Sequence, residues 1–150
     1  MLFSTLKFIH IFAAIIAVGM NISYGIWIAR AQNDLASNTF ALKTIRFIDD
    51  RIANPAYGVL LLTGLLMVWR LQIPILTLWI DVALVLYVVL LVVGIGFYSP
   101  TLRSQVKLVE AGDSTSAEFQ RLGSRGRILG ITLGVIVFLI LVIMVFKPHL

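Results

Sequence analysis

The sequence predicts an all-α integral membrane protein, a four-helix antiparallel bundle. Two observations carry that expectation. Hydrophobic residues make up 60% of the 150, and the mean hydropathy is +1.02. A water-soluble chain of this length has too much surface for such a composition. Charged residues are only 13%, and they cluster. Between the clusters lie four stretches nearly free of charge, each close to the roughly 20 residues that a helical span needs.

The length is that of a single domain. With no cysteine, disulfides, thiolate metal sites and cysteine nucleophiles are excluded. The net charge of +5 does not point to nucleic acid. The basic residues flank apolar stretches, so lipid headgroups and membrane orientation account for them. The lipid bilayer is therefore the expected first partner.

Span one lies between Lys7 and Arg30, a run of 22 uncharged residues. Its apolar run exceeds the about 7–15 residues of a signal-peptide core and includes His10 and Asn21, so it is read as a span. His10, Ala13, Ala14, Ala17, Asn21 and Tyr24 recur at steps of three and four and line one face. A polar and small stripe on an apolar helix points inward, toward other helices or a ligand.

The stretch 37–52 reads as an amphipathic helix. Phe40, Leu42, Ile45, Phe47 and Ile48 interleave with Lys43, Arg46, Asp49 and Asp50, and Ser37, Asn38 or Thr39 can cap it. It either lies on the membrane surface or runs into span two. Span two covers about 54–70, and Asn54-Pro55 marks a helix start or a kink. Gly58 and Gly64 permit close helix approach. The short turn with Pro74 sets spans two and three antiparallel.

Span three covers about 75–98, with Asp81 near its start and Ser99-Pro100 marking a kink or the membrane boundary. Beyond it, Leu102, Val106 and Val109 keep a helical period and Gly112 suits a helix end. Asp113, Ser114 and Ser116 can cap the next helix, with Glu118 in its first turn. Spans three and four therefore extend past the membrane as a helical hairpin. Span four covers about 127–147, and Gly126, Gly130 and Gly134 form a ridge for helix packing, internally or at a homodimer seam.

Lysine and arginine set the orientation. Loop one holds Arg30, Lys43, Arg46 and Arg51; loop three holds Arg103, Lys107, Arg121, Arg125 and Arg127. Lys7, Arg70 and Lys147 lie on the other side. This asymmetry places both loops in the cytoplasm and both termini outside. The expected location is a bacterial cytoplasmic membrane.

Ionisable groups within a membrane are costly and hence candidates for function. Antiparallel threading puts His10, Met67, Asp81 and Met144 at comparable depth near the outer leaflet. Imidazole ligates haem iron or copper, thioether does likewise, and a carboxylate orients the imidazole. His10 is thus the candidate metal ligand, with Met67, Asp81 and Met144 as further cofactor-binding candidates. The plain reading makes the methionines packing residues, Asp81 a cap or a partner of Arg70, and His10 a hydrogen-bonding residue between helices. His149, in the tail, can reach the same surface. No glycine-rich phosphate loop and no HExxH pattern occurs. A serine–histidine–acid triad has little support.

Three stretches resemble a known group: Leu6-Lys7-Phe8-Ile9-His10 followed by Ala13-Ala14 and Val18-Gly19; Asn54-Pro55-Ala56 through Thr63-Gly64-Leu65; and Met144-Val145-Phe146-Lys147-Pro148. They resemble an uncharacterised bacterial family of four-helix integral membrane proteins, domain of unknown function 2269, over nearly the whole chain. That family is distantly similar to the membrane protoporphyrinogen oxidase of haem synthesis and to the membrane domain of copper-resistance protein D. The oxidase family is implicated in haem binding through a first-span histidine and a third-span lysine. His10 matches the first; Trp79, Asp81 and Ala83 stand near the place of the second. The resemblance implies haem b or copper as the cofactor to expect.

The expected function is a small, non-enzymatic membrane protein that binds haem or a metal through His10, or serves as a subunit beside a redox centre. One alternative is a structural or partner-binding subunit with no ligand. Another is a porphyrinogen-oxidase-like enzyme.

Overall fold

The computed structural model describes the chain apart from Gln32, Asn33, Ile73, Ile75, Leu76, His149 and Leu150. The described secondary structure is helical, with no strand among the described residues. Four helices are long and apolar enough to cross a membrane: α1 (Leu2–Ala31), α2 (Leu35–Arg70), α3 (Leu78–Glu110) and α4 (Ala117–Phe146).

At 1.5 Å per residue, the 36 residues of α2 reach about 54 Å, well beyond a hydrocarbon core of about 30 Å. The amphipathic segment is therefore the first part of α2 and continues into the second span. The Asp34 carboxylate caps this helix, accepting from the Ser37 N–H at 2.8 Å. The cap thus falls three residues before Ser37, because a carboxylate at that spacing satisfies an N–H that the helix leaves without a partner.

Neither proline ends its helix. Proline has no N–H and its ring crowds the carbonyl four residues back. Both helices answer by widening one turn. In α2 the π-helical turn Asp49–Ala53 precedes Asn54-Pro55, and the Asn54 N–H reaches five residues back to the Asp49 carbonyl. In α3 the turn Gly94–Tyr98 precedes Ser99-Pro100, and the Ser99 N–H reaches the Gly94 carbonyl.

The span of α2 packs along α1, the span of α3 packs along α4, and α1 also meets α4. At one end the first part of α2 packs on the last part of α3, which also packs on the start of α4. This extension holds the tightest core: Leu42, Ile45 and Val106 are the largest fully buried side chains. Each contributes about 1.5–3 kcal/mol by leaving water. Phe119 and Leu122 of α4 are buried there too. Between the spans the buried residues include Ala13, Ala17, Ala56 and Ala83, while Ile22, Val85, Ile131 and Phe138 are exposed. Small residues inside and large apolar residues outside suit helices packed in lipid.

The hairpin of α3 and α4 turns at Gly112, whose φ of 80° suits a residue without Cβ. Ser116 then caps α4 by accepting from the Phe119 N–H at 3.1 Å. At the far end of α4, the Lys147 ammonium stands 5.3 Å from the centre of the Trp79 ring and ties α4 to the start of α3.

Candidate functional site

Asp49 follows Ile45 by four residues and precedes Ala53 by four, so it shares the face of Leu42 and Ile45. All four are buried, Asp49 to 6% exposure. The carboxylate therefore enters the core instead of joining Lys43, Arg46 and Asp50 at the surface. Its Oδ2 accepts from the Ser99 hydroxyl at 2.7 Å and from the Asn54 side-chain amide at 3.5 Å. These donors are the two residues that precede the prolines, so both widened turns converge on one carboxylate.

The cations go elsewhere. Asp50 takes Arg103 at 2.6 Å and Arg46 at 3.8 Å. The Asp50 carboxylate beside it raises the Arg103 guanidinium above its ordinary value. Among the described residues, Asp49 has no cation within ion-pair distance. Burying a carboxylate among neutral groups is costly and calls for compensation.

Beside Asp49 lies a cavity of about 30 Å³, room for a water molecule or two. Its polar lining comes from Asn21, Tyr24, Asp49, Asn54, Tyr57 and Tyr98. Tyr24 is 6% exposed, and its buried hydroxyl has no hydrogen-bond partner. Such a group costs about 1–3 kcal/mol unless something in the cavity meets it. The Tyr87 hydroxyl donates to the Tyr57 carbonyl and links α3 to α2 beside this chamber.

His10 occupies a different place. Its Nδ1 lies 2.8 Å from Thr63 Oγ1, and Thr63 Oγ1 lies 2.6 Å from the Val59 carbonyl. The single hydroxyl proton of Thr63 goes to that carbonyl, so a neutral His10 donates from Nδ1 and keeps its lone pair on Nε2. The ring rests on Gly64: a Cβ there would stand 3.3 Å from His10 Cε1.

The other expected ligands lie on three helices. Met67 is half-buried on α2, four residues past Thr63; Asp81 is half-buried in the first turn of α3; Met144 is exposed near the end of α4. His149 lies outside the described residues. No three His, Asp or Glu residues converge among the described residues, and the His10 ring packs on α2 with Nδ1 engaged by Thr63. In the glycine ridge, a Cβ on Gly126 would stand 3.9 Å from Thr101 Cγ2 and one on Gly130 3.8 Å from Tyr98 Cε2, both on α3; one on Gly134 would meet nothing within 4 Å.

Residues 4–148 match the DUF2269 family of predicted integral membrane proteins. The chain belongs to that family. No curated protein and no solved structure matches it. In this DUF2269 chain, the inward stripe of span one supplied two chamber residues, Asn21 and Tyr24. Asp49, Asn54, Tyr57 and Tyr98 of the lining, and Ser99 on Asp49, were not expected there. A signal for Asp49 was present in the spacing Leu42, Ile45, Asp49, Ala53, which sets an acid on an apolar face.

Proposed function

We propose that this DUF2269 protein is a non-enzymatic membrane protein that binds a small positively charged species in the chamber around Asp49. One observation carries the reading: a carboxylate 6% exposed has only neutral donors, while its neighbour Asp50 takes the arginines. An incoming cation or proton supplies the charge that the site lacks. The orphaned Tyr24 hydroxyl in the same cavity supports the reading.

In this reading the membrane is the bacterial cytoplasmic membrane. The lysine and arginine bias of the loops puts the chamber toward the cytoplasm and both termini outside. His10 then serves as a clamp between α1 and α2, through Thr63 and Gly64.

The test is infrared difference spectroscopy of the purified chain in lipid nanodiscs, with Asp49→Asn to assign the carboxyl band. The expected result is an Asp49 signal that responds to bulk pH or to added cation. A band that responds to neither, in a chain that remains folded, overturns the reading and favours a ligand-free structural or partner-binding subunit.

A further inference from the structure

We infer that the Asp49 chamber takes one monovalent cation of sodium size, coordinated by oxygen atoms. This rests on the reading of the chamber as a site for positive charge, and it names the ion.

Charge selects the valence. The cavity lining contains one carboxylate, Asp49, and no lysine or arginine. One monovalent ion balances it; a divalent ion would leave an unbalanced positive charge in a buried place.

Donor type selects a hard cation. The polar lining offers the Asp49 carboxylate, the Asn21 and Asn54 amides, and the hydroxyls of Tyr24, Tyr57 and Tyr98. Carboxylate, amide carbonyl and hydroxyl oxygens suit hard ions, and the cavity lining has no sulfur or imidazole. The Asn54 amide nitrogen already faces Asp49, so its carbonyl oxygen remains as an acceptor. The Ser99 proton is committed to Asp49. The Tyr24 hydroxyl, buried without a partner, has lone pairs for a cation.

Size selects a dehydrated ion. A cavity of about 30 Å³ accepts an ion with a water molecule or two and excludes one with a full hydration shell. The protein oxygens must therefore replace most of the shell.

The experiment is thermal unfolding of the full purified chain in detergent, at fixed pH and ionic strength, with sodium chloride titrated against choline chloride or potassium chloride. The wild type is compared with Asp49→Asn and Tyr24→Phe. The expected result is a saturable rise in Tm with sodium, smaller with potassium and absent with choline. Asp49→Asn abolishes the rise, and Tyr24→Phe raises the half-saturating sodium concentration several-fold. Tyr24→Phe removes one oxygen and keeps the ring, so it remains informative if Asp49→Asn fails to fold. No sodium-specific shift in the wild type overturns the inference, as does an equal sodium response in Asp49→Asn. If sodium has no effect while the Asp49 infrared band follows pH, the chamber holds a proton: the sodium inference falls and the parent reading stands. If the band follows neither, both fall.

Discussion

Ser99 donates its hydroxyl to Asp49 at 2.7 Å, across the interior of the bundle, from the residue before one helix proline to the first residue of the widened turn before the other. This bond links the two widened helical turns. Ser99→Ala removes the shorter of the two hydrogen bonds to Asp49 and leaves part of a buried carboxylate unpaired. The expected loss is about 1–3 kcal/mol, read as a lowered unfolding midpoint in detergent. A change within experimental error would mean that Asp49 finds another partner in the chamber.

The His10–Thr63 pair predicts a measurable coupling. In a double-mutant cycle with His10→Ala and Thr63→Val, the interaction energy is expected near the average of about 0.6 kcal/mol for such bonds between membrane helices. Visible spectra of the wild type and His10→Ala are expected to match, with no Soret band in either. A Soret band lost in His10→Ala would establish haem binding through His10.

Gly64→Ala tests the same contact from the other side. The added Cβ would meet His10 Cε1 at 3.3 Å, closer than ordinary packing, so the ring must shift. The expectation is that the His10–Thr63 coupling falls sharply in this background. An undiminished coupling would show that the ring accommodates the methyl group.

Ile45 is 0% exposed in the extension core. Ile45→Ala is expected to cost about 2–5 kcal/mol, because the cavity left behind adds to the lost burial. Surface Phe47, 61% exposed, is the control: Phe47→Ala should change the midpoint little. Equal effects would mean that this end packs less tightly than the burial pattern implies.

Asp34 gives a pH prediction. The Ser37 hydroxyl and N–H bond its carboxylate and hold its pKa below the ordinary value. A depressed carboxylate contributes stability that is complete above its unfolded pKa and is lost as pH falls through its folded pKa. The first turn of α2 should therefore exchange amide protons faster in acid, and Asp34→Ala should show the fast rate already at neutral pH. An acid-independent rate in the wild type would contradict the cap.

The spans and the Gly112 turn were legible in the sequence because each rests on a local rule: apolar length, charge flanking, and a glycine where φ turns positive. The chamber was harder to see. Asn54-Pro55 reads locally as a helix start, yet the chain stays helical through it because neighbouring helices hold α2 while one turn widens. Asp49 was grouped with Lys43, Arg46 and Asp50 by its charge, although its spacing from Leu42 and Ile45 set it on the buried face. Ser99 and Tyr98 belong to a different helix, and only the tertiary fold brings them to Asp49. The outer group of His10, Met67, Asp81 and Met144 was inferred from depth alone. Depth says nothing of rotation about the helix axis; the contacts of His10 with Thr63 and Gly64 come from the tertiary fold.

The pairing of α1 with α2 and of α3 with α4 divides the molecule into two helical hairpins. Each helical hairpin has packing contacts of its own. The Asp49–Ser99 bond joins one hairpin to the other, so it forms only after the second has arrived. Until then the first hairpin carries Asp49 with only the Asn54 amide to meet its carboxylate. Fragments divided in the link after Arg70 and produced together should therefore recover the native fold only when both are present, with Asp49 as the register mark that tells a correct pairing from a slipped one.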